Sequence, residues 1–314
     1  MTVVVLDGGM GTELARRGLD VSDSLWSARV LLERPEAIEQ VHNDFLMAGA
    51  DCITTASYQV SFEGFVKAGL PREAAKEALA RSVEIAKRAR TRFEETGARK
   101  GPAVLVAASI GPYGAALANG SEYHGEYACG GAELFAFHSE RMKCLRDVEP
   151  DLLACETIPS WEEAEVILEA LWQFPALTAW FSFACRDGRH TVHGELASEC
   201  ARKLDGERQV VAVGVNCTSP EYVGSLIEEV REATEKTIVV YPNAGRTWNA
   251  QERCWAGKVA AKNWEELAVE WYEKGARWIG GCCGTTPEEI RAMRRALEGQ
   301  FPAEFDGRPR QATG

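Results

Sequence analysis

Eight short runs of apolar and β-branched residues alternate with eight longer segments of helical periodicity along this chain, and such a repeat leaves few architectures open. The strand-like runs occupy 3–7, 52–57, 104–110, 152–156, 177–183, 210–216, 237–242 and 278–282. The helix-like segments occupy 35–48, 72–95, 132–147, 161–172, 195–204, 220–233, 263–274 and 287–297. Repeated βα units build a parallel sheet, and eight strands close one into a barrel, so the expected fold is a single α/β (β/α)8 barrel of the TIM type. Ser160 before Trp161-Glu162-Glu163, and Thr286 before Pro287-Glu288-Glu289, read as capped helix starts; Gly49 and Gly275 read as stops. The charged stretch Lys87-Arg88-Ala89-Arg90 reads as a solvated outer face. Long insertions at 112–131 and 244–261 follow the third and seventh strands, at the end of a barrel where loops build active sites. No low-complexity linker divides the chain, so one domain is expected over 1–300 with a frayed or loosely docked tail at 301–314.

Charge narrows the partners. Lys and Arg total 35 against 47 Asp and Glu, a net charge of −12, the wrong sign for neutralising many phosphates. Nucleic acid and anionic membranes are therefore not expected partners. No apolar run approaches the roughly 18 residues of a membrane span, and the opening MTVVVLDGG lacks a basic start and a small-residue cleavage site; a cytoplasmic location is expected. Ten cysteines without a leader read mostly as buried thiols rather than disulfides. Packing accounts for Cys52, Cys155 and Cys185 in strands and for Cys129, Cys144 and Cys200 in or beside helices.

Cys217, Cys282 and Cys283 stand apart, because they end the sixth and eighth strand-like runs and so can converge on one barrel mouth. Adjacent side chains on a regular strand point to opposite faces, so Cys282 and Cys283 share a ligand only where regular geometry is lost. Gly280, Gly281 and Gly284 give that freedom. Three thiolates suit one zinc ion per chain and leave a fourth tetrahedral position for substrate. The spacing equally admits packed core thiols with no shared ligand, since no CxxC pair is present. A reversible disulfide between Cys217 and one of the pair is a third reading.

Asp7-Gly8-Gly9-Met10-Gly11-Thr12-Glu13-Leu14 follows the first strand but lacks the third glycine of a dinucleotide fingerprint and a Walker lysine. Such a loop can offer backbone N–H groups to a substrate carboxylate, with Asp7 facing an ammonium. Glu156 ends the apolar fourth strand, a costly place for a carboxylate without a partner; an amino acid ammonium or a barrel arginine would each satisfy it.

With these residues in view the chain resembles the homocysteine S-methyltransferase family across nearly everything from Leu6 to Pro287. The resemblance rests on the Asp7–Leu14 loop, Thr54-Thr55-Ala56-Ser57-Tyr58-Gln59, Ser109-Ile110-Gly111-Pro112-Tyr113-Gly114-Ala115, Glu156-Thr157, Gly214-Val215-Asn216-Cys217, Tyr241-Pro242-Asn243 and Gly281-Cys282-Cys283-Gly284-Thr285. It implies the barrel fold, a zinc ion on Cys217, Cys282 and Cys283, and a substrate site of Asp7, Gly8, Gly9, Thr55, Ser57, Glu156, Thr157 and Asn216. It also implies methyl transfer to homocysteine, giving methionine, with no catalytic side chain beyond the zinc-activated substrate thiol. Gly111-Pro112-Tyr113-Gly114-Ala115 with Gly120-Ser121-Glu122-Tyr123 looks most like the branch that uses S-methylmethionine or S-adenosylmethionine as donor. Ala244 stands where many relatives are expected to carry serine, and Thr55-Ala56-Ser57 is a less polar form of the second-strand motif.

A sulfonium donor leaves as a neutral thioether and needs no general acid. Tyr113, Tyr123, Trp248 and Trp255 are aromatic candidates to face it. Two other functions fit the same cysteines: a homocysteine-activating module served by a corrinoid carrier in trans, and a non-enzymatic zinc store or thiol sensor. A monomer or weak homodimer is expected.

Overall fold

The eight-membered repeat closes into a ring of parallel strands. The computed structural model describes residues 3–21, 25, 27–99, 102–245, 247–249, 254–256 and 263–305, without the side chains of 247–249 and 254–256. The barrel strands are Val4–Val5, Cys52–Thr54, Leu105–Ile110, Leu152–Ile158, Ala179–Phe183, Val210–Asn216, Thr237–Tyr241 and Ala276–Ile279. The first strand pairs with the eighth, and the pairing then runs down in sequence to the second. A parallel bridge between Leu6 and Cys52 joins the two ends. Each crossover carries a helix: Pro35–Ala48, Arg72–Glu95, Gly131–Arg146, Trp161–Trp172, Ala197–Leu204, Pro220–Arg231, Trp264–Lys274 and Pro287–Gln300. No described helix is long and apolar enough to cross a membrane.

Local chemistry sets the helix ends. Ser160 Oγ accepts from Glu163 N at 3.3 Å, and Thr286 with Glu289 forms a reciprocal capping box, satisfying donors that a first turn otherwise leaves open. Gly49 ends its helix at φ 107°, a left-handed position where a side chain would be strained. The basic end of Arg72–Glu95 grips its neighbours from the outer face: Lys87 donates to Val148 O at 2.8 Å and Arg90 to Asp151 at 2.7 Å.

Several strands are shorter than their sequence pattern; the first is only Val4–Val5, and the fifth begins at Ala179. The second stops at Thr54 and the eighth at Ile279, because both chains turn there into the mouth of the barrel. The sequence pattern also passed over Met10–Arg16, Ser27–Glu33, Phe62–Lys67 and Tyr113–Leu117. These helices run only one to two turns, and all but Ser27–Glu33 contain a glycine, so periodicity is faint and tertiary contact holds them. Within the 244–261 insertion, Thr247–Asn249 and Cys254–Ala256 pair antiparallel; the side chains of Trp248 and Trp255 lie outside the described residues, as does everything after Phe305.

Two cores result. Between strands and helices, residues such as Phe45, Ile53, Leu79, Ile167, Phe181, Leu226, Trp271 and Ile290 form the outer layer. Inside the ring, Leu6, Cys52, Ala107, Ala154, Trp180, Ala212 and Val239 fill the lumen beneath Tyr241. Small alanines on three strands leave room for the indole of Trp180, which meets Trp278 edge-on at 5.7 Å and Tyr241 at 6.1 Å. Trp180 Nε1 donates to Tyr241 Oη at 2.8 Å, so the plug also fixes a residue of the mouth. Cys52, Cys155, Cys185 and Cys200 are buried thiols, whereas Cys129 and Cys144 are half-buried.

Trp180→Ala is expected to lower unfolding free energy by about 3–5 kcal/mol in urea denaturation. Met47→Ala, at a 60% exposed position, is expected to change it by less than about 0.5 kcal/mol.

Candidate metal centre and substrate pocket

The carboxyl ends of the strands open into one cavity lined by Gly8, Gly9, Thr55, Glu156, Thr157, Cys217, Cys282 and Cys283; Asp7 is buried next to this lining without being part of it. The sulfur atoms of the three cysteines all lie within 4.8 Å of one another. Tetrahedral zinc with bonds of about 2.3 Å holds thiolate sulfurs roughly 3.8 Å apart, so the donor set fits such an ion with little adjustment. Cys217 takes the left-handed backbone conformation at φ 48°, turning its side chain off the strand direction into the mouth. Hydrogen bonds from Cys282 and then Cys283 hold its thiol below the ordinary range, while the contact with Cys217 pushes Cys282 and Cys283 up, so the three sulfurs titrate as one unit.

Backbone bonds lace the sulfur-bearing segments together. Cys217 N donates to Tyr241 O at 3.2 Å, Cys282 N to Pro242 O at 2.8 Å, and Ala244 N to Cys283 O at 2.9 Å. Asn243 Nδ2 donates to Cys217 O at 3.1 Å. The vicinal pair depends on close packing by glycine: a Cβ on Gly9 would lie 2.7 Å from Cys282 O, and one on Gly281 would lie 2.2 Å from the Thr285 side chain. Gly9 N–H donates to Thr285 O at 3.1 Å, so this loop serves first to admit the cysteine turn.

Among the described residues, Asp7 and Glu156 stand beside the sulfurs with no cationic partner. Asp7 accepts from Thr54 N and Thr54 Oγ1, both at 2.8 Å, yet burial pushes its carboxyl up to about 8. Glu156 accepts from Ser109 Oγ and is also raised to about 8, chiefly by burial and then by Cys282. Among the described residues no arginine pairs with Glu156, so that sequence alternative is not what the fold supplies. Two buried acids with no countercharge make a pocket ready for a positive group.

Ser57 and Asn216 stand behind the wall. Ser57 Oγ donates to Ser109 O at 2.8 Å and lies 2.7 Å from Thr55 Oγ1. Asn216 bridges to Thr157, accepting from its N–H at 2.6 Å and donating to its Oγ1 at 2.8 Å. Thr157, at φ 58°, is thereby fixed in a strained turn. Tyr123 reaches the cluster, its hydroxyl 3.8 Å from Cys217 Sγ. Tyr113 does not: its hydroxyl donates to Glu133 at 2.9 Å and its ring packs on Tyr127 and Phe137.

Sequence reasoning named Thr54, Ser109, Tyr58 and Tyr241 within motifs but gave them no site role, since that role arises only from contacts in the fold. It passed over Arg141, fully buried on Gly131–Arg146, which donates to Gly111 O at 2.8 Å and Tyr58 O at 3.0 Å. A signal existed, since Arg141 shares the helix face of Leu134, Phe137, His138 and Leu145, where a charge needs polar partners.

The family model described as homocysteine S-methyltransferase matches residues 4–297. The homocysteine S-methyltransferase YbgG of Bacillus subtilis is 49% identical over 302 residues, covering 94% of this chain and 96% of its own. The homocysteine S-methyltransferase of Escherichia coli is 43% identical over 294 residues, covering 93% and 94%. Among solved structures, the metallated form of the E. coli homocysteine methyltransferase MmuM superposes with a TM-score of 0.84 at 41% identity, covering 94% of this chain and 96% of that one. Its apo form gives 0.75, covering 94% and 96%.

The raised carboxyls have a consequence for stability. Their folded values near 8 lie above the ordinary carboxylate range, so the folded state binds more protons than the unfolded one between about pH 4 and 8. The stability they contribute is present below that window and is lost as pH rises through it. In metal-free, reduced, ligand-free protein, Glu156→Gln is expected to remove on the order of 2 kcal/mol of the decline between pH 5 and 8 seen in urea titrations. Parallel pH curves for parent and variant would contradict the assignment.

Proposed function

The chain belongs to the homocysteine S-methyltransferase family, and from that premise we propose that it transfers a methyl group from a sulfonium donor, S-methylmethionine or S-adenosylmethionine, to the thiol of L-homocysteine in a zinc-dependent reaction. Its membership makes it a methyltransferase acting on a small molecule; the ion, the donor and the residue roles are the proposal. The observation that carries it is one cavity lined by three clustered thiols and Glu156, with a second buried carboxylate, Asp7, beside them and no cationic partner for either acid among the described residues.

Cys217, Cys282 and Cys283 would hold zinc, which when bound supplies a fourth position for the substrate sulfur and keeps that sulfur deprotonated near neutral pH. The chain's own residues do the rest. Asp7 and Glu156 receive the ammonium of homocysteine on the Cys282 side, and that charge returns both carboxyls to their ionised form. Thr54 and Ser109 orient the two acids by donating to them. Asn216 locks Thr157 against the sixth strand, so the rim does not shift when substrate enters. The donor's departing sulfur becomes a neutral thioether, so no side chain needs to deliver a proton; alignment is the remaining demand.

The two acids also favour an enzyme over a zinc store or thiol sensor, because ligand-free storage gains nothing from buried carboxylates without partners. A single cytoplasmic zinc enzyme, monomeric or weakly dimeric, is the form proposed.

Cys217→Ala is expected to lower bound zinc below about one tenth of the parent's and to abolish methionine formation with either sulfonium donor. Asp7→Asn is expected to keep its zinc and to raise KM for homocysteine by about 10- to 100-fold, the loss of a charged hydrogen bond. Full activity of zinc-free parent enzyme would reject the zinc dependence, and methionine formation from neither sulfonium would reject the donor class.

A further inference from the structure

Besides Glu156, the cavity wall contains a carboxylate that acceptor binding leaves unused. Glu122 lies in the long loop after the third strand and is 7% exposed. Its Oε2 has no hydrogen-bond partner among the described residues, and neither has Oε1 of Gln59; both residues line the cavity together with Tyr58, Tyr123 and Cys217. A buried carboxylate oxygen without a partner is unfavourable, so its retention in a cavity wall points to a ligand.

The loop is built to hold it there. Ala118 and Gly120 take left-handed conformations at φ 54° and 86°. Ser121 Oγ donates to Asn119 Oδ1 at 2.6 Å, and Gly125 N donates to Ser121 O at 2.8 Å. Gln59 Nε2 donates to Ala115 O at 3.1 Å, leaving its carbonyl end in the cavity. Gly114 admits the turn, since a Cβ there would lie 2.4 Å from Glu122 N. Burial raises the Glu122 carboxyl to about 7, as expected for an acid waiting on a countercharge.

The buried acids differ in their nearest charged neighbours. Asp7 feels Glu156 and Cys282 as its charged neighbours, whereas the charge of Glu122 falls on Tyr58 and Tyr123, next to Cys217. The lining includes no lysine, arginine or histidine among the described residues. One side thus receives a single ammonium beside Cys282, and the other offers a carboxylate, an amide oxygen and two aromatic rings beside Cys217. A sulfonium amino acid matches the second side, because its cationic sulfur is attracted both by a carboxylate and by ring faces.

We propose that Glu122, flanked by Gln59, Tyr58 and Tyr123, is the anionic seat of the methyl donor and selects a cationic sulfonium over the neutral thioether. This rests on the sulfonium-donor reading of the preceding subsection. In the transfer, the bond from the donor's sulfur to its methyl carbon breaks with the electron pair staying on that sulfur, while the acceptor thiolate forms the new sulfur–carbon bond. One positive and one negative charge disappear together, so Glu122 loses its hold on the donor once the methyl has moved. Attraction that is strongest for the unreacted donor appears in KM rather than in kcat.

The test is calorimetric titration of the zinc-loaded full chain with S-methylmethionine and with methionine, for parent, E122Q and E122D, alongside steady-state kinetics and zinc analysis. E122Q is expected to weaken S-methylmethionine binding by about tenfold or more, with methionine affinity, homocysteine KM and zinc content changed less than about twofold. E122D is expected to recover part of the sulfonium preference. Equal losses for both ligands would mark Glu122 as a packing residue and overturn the assignment, as would no loss for either. If the parent neither binds nor uses any sulfonium, the donor reading itself falls and takes this assignment with it. An active parent with an unaltered E122Q sinks the assignment alone.

Discussion

The structure turns on bringing sulfur atoms from the ends of two separate strands to one point while tying the segments that carry them to the chain between by backbone hydrogen bonds. The chain achieves this by letting both strands lose regular geometry at their carboxyl ends. Cys217 adopts φ 48°, and Cys282-Cys283 follow two glycines whose neighbours leave no space for a Cβ. The amide groups freed by these departures pair with Tyr241, Pro242 and Ala244 of the intervening seventh strand segment. Irregular backbone is therefore stabilised by the strand between, and the cluster is as rigid as the barrel that carries it.

Around that point the fold concentrates negative charge. Glu156 and Glu122 are buried in the cavity wall and Asp7 is buried beside it, and none has an ion-pair partner there among the described residues. Such an arrangement is unfavourable for the empty protein and favourable for ligands that arrive positively charged. The opposing stability comes from the barrel: a lumen packed around Trp180 and an outer layer that runs unbroken from Val5 to Leu297. Function and stability are thus placed in different layers, as expected for a barrel whose mouth carries the chemistry.

Much of this was legible in the sequence for one reason: each decisive residue ends an apolar run. Cys217, Cys282, Asp7 and Glu156 are polar or reactive groups where a buried strand meets a loop, and the eightfold repeat says all such ends share one mouth. The family resemblance and the barrel were readable on the same grounds. What stayed illegible depends on contacts distant in the chain. Nothing local says that Ser109 donates to Glu156 or that Trp180 props Tyr241, because both follow from strand register. Thr55, Ser57 and Asn216 share motifs with neighbours that face the cavity, yet only Thr55 lines it; Ser57 is turned to Ser109 O and Asn216 to Thr157, contacts that the motifs do not reveal. Tyr113 and Tyr123 sit on the same insertion, and only the turn at Ala118 and Gly120 separates their fates.

The central claim concerns the ion and its ligands, and X-ray absorption at the zinc edge addresses it directly. The zinc-loaded protein is expected to show three sulfur neighbours at about 2.3 Å and one lighter atom, with the lighter atom replaced by a fourth sulfur when homocysteine is added. A first shell without three sulfurs, or one unchanged by homocysteine, would contradict it.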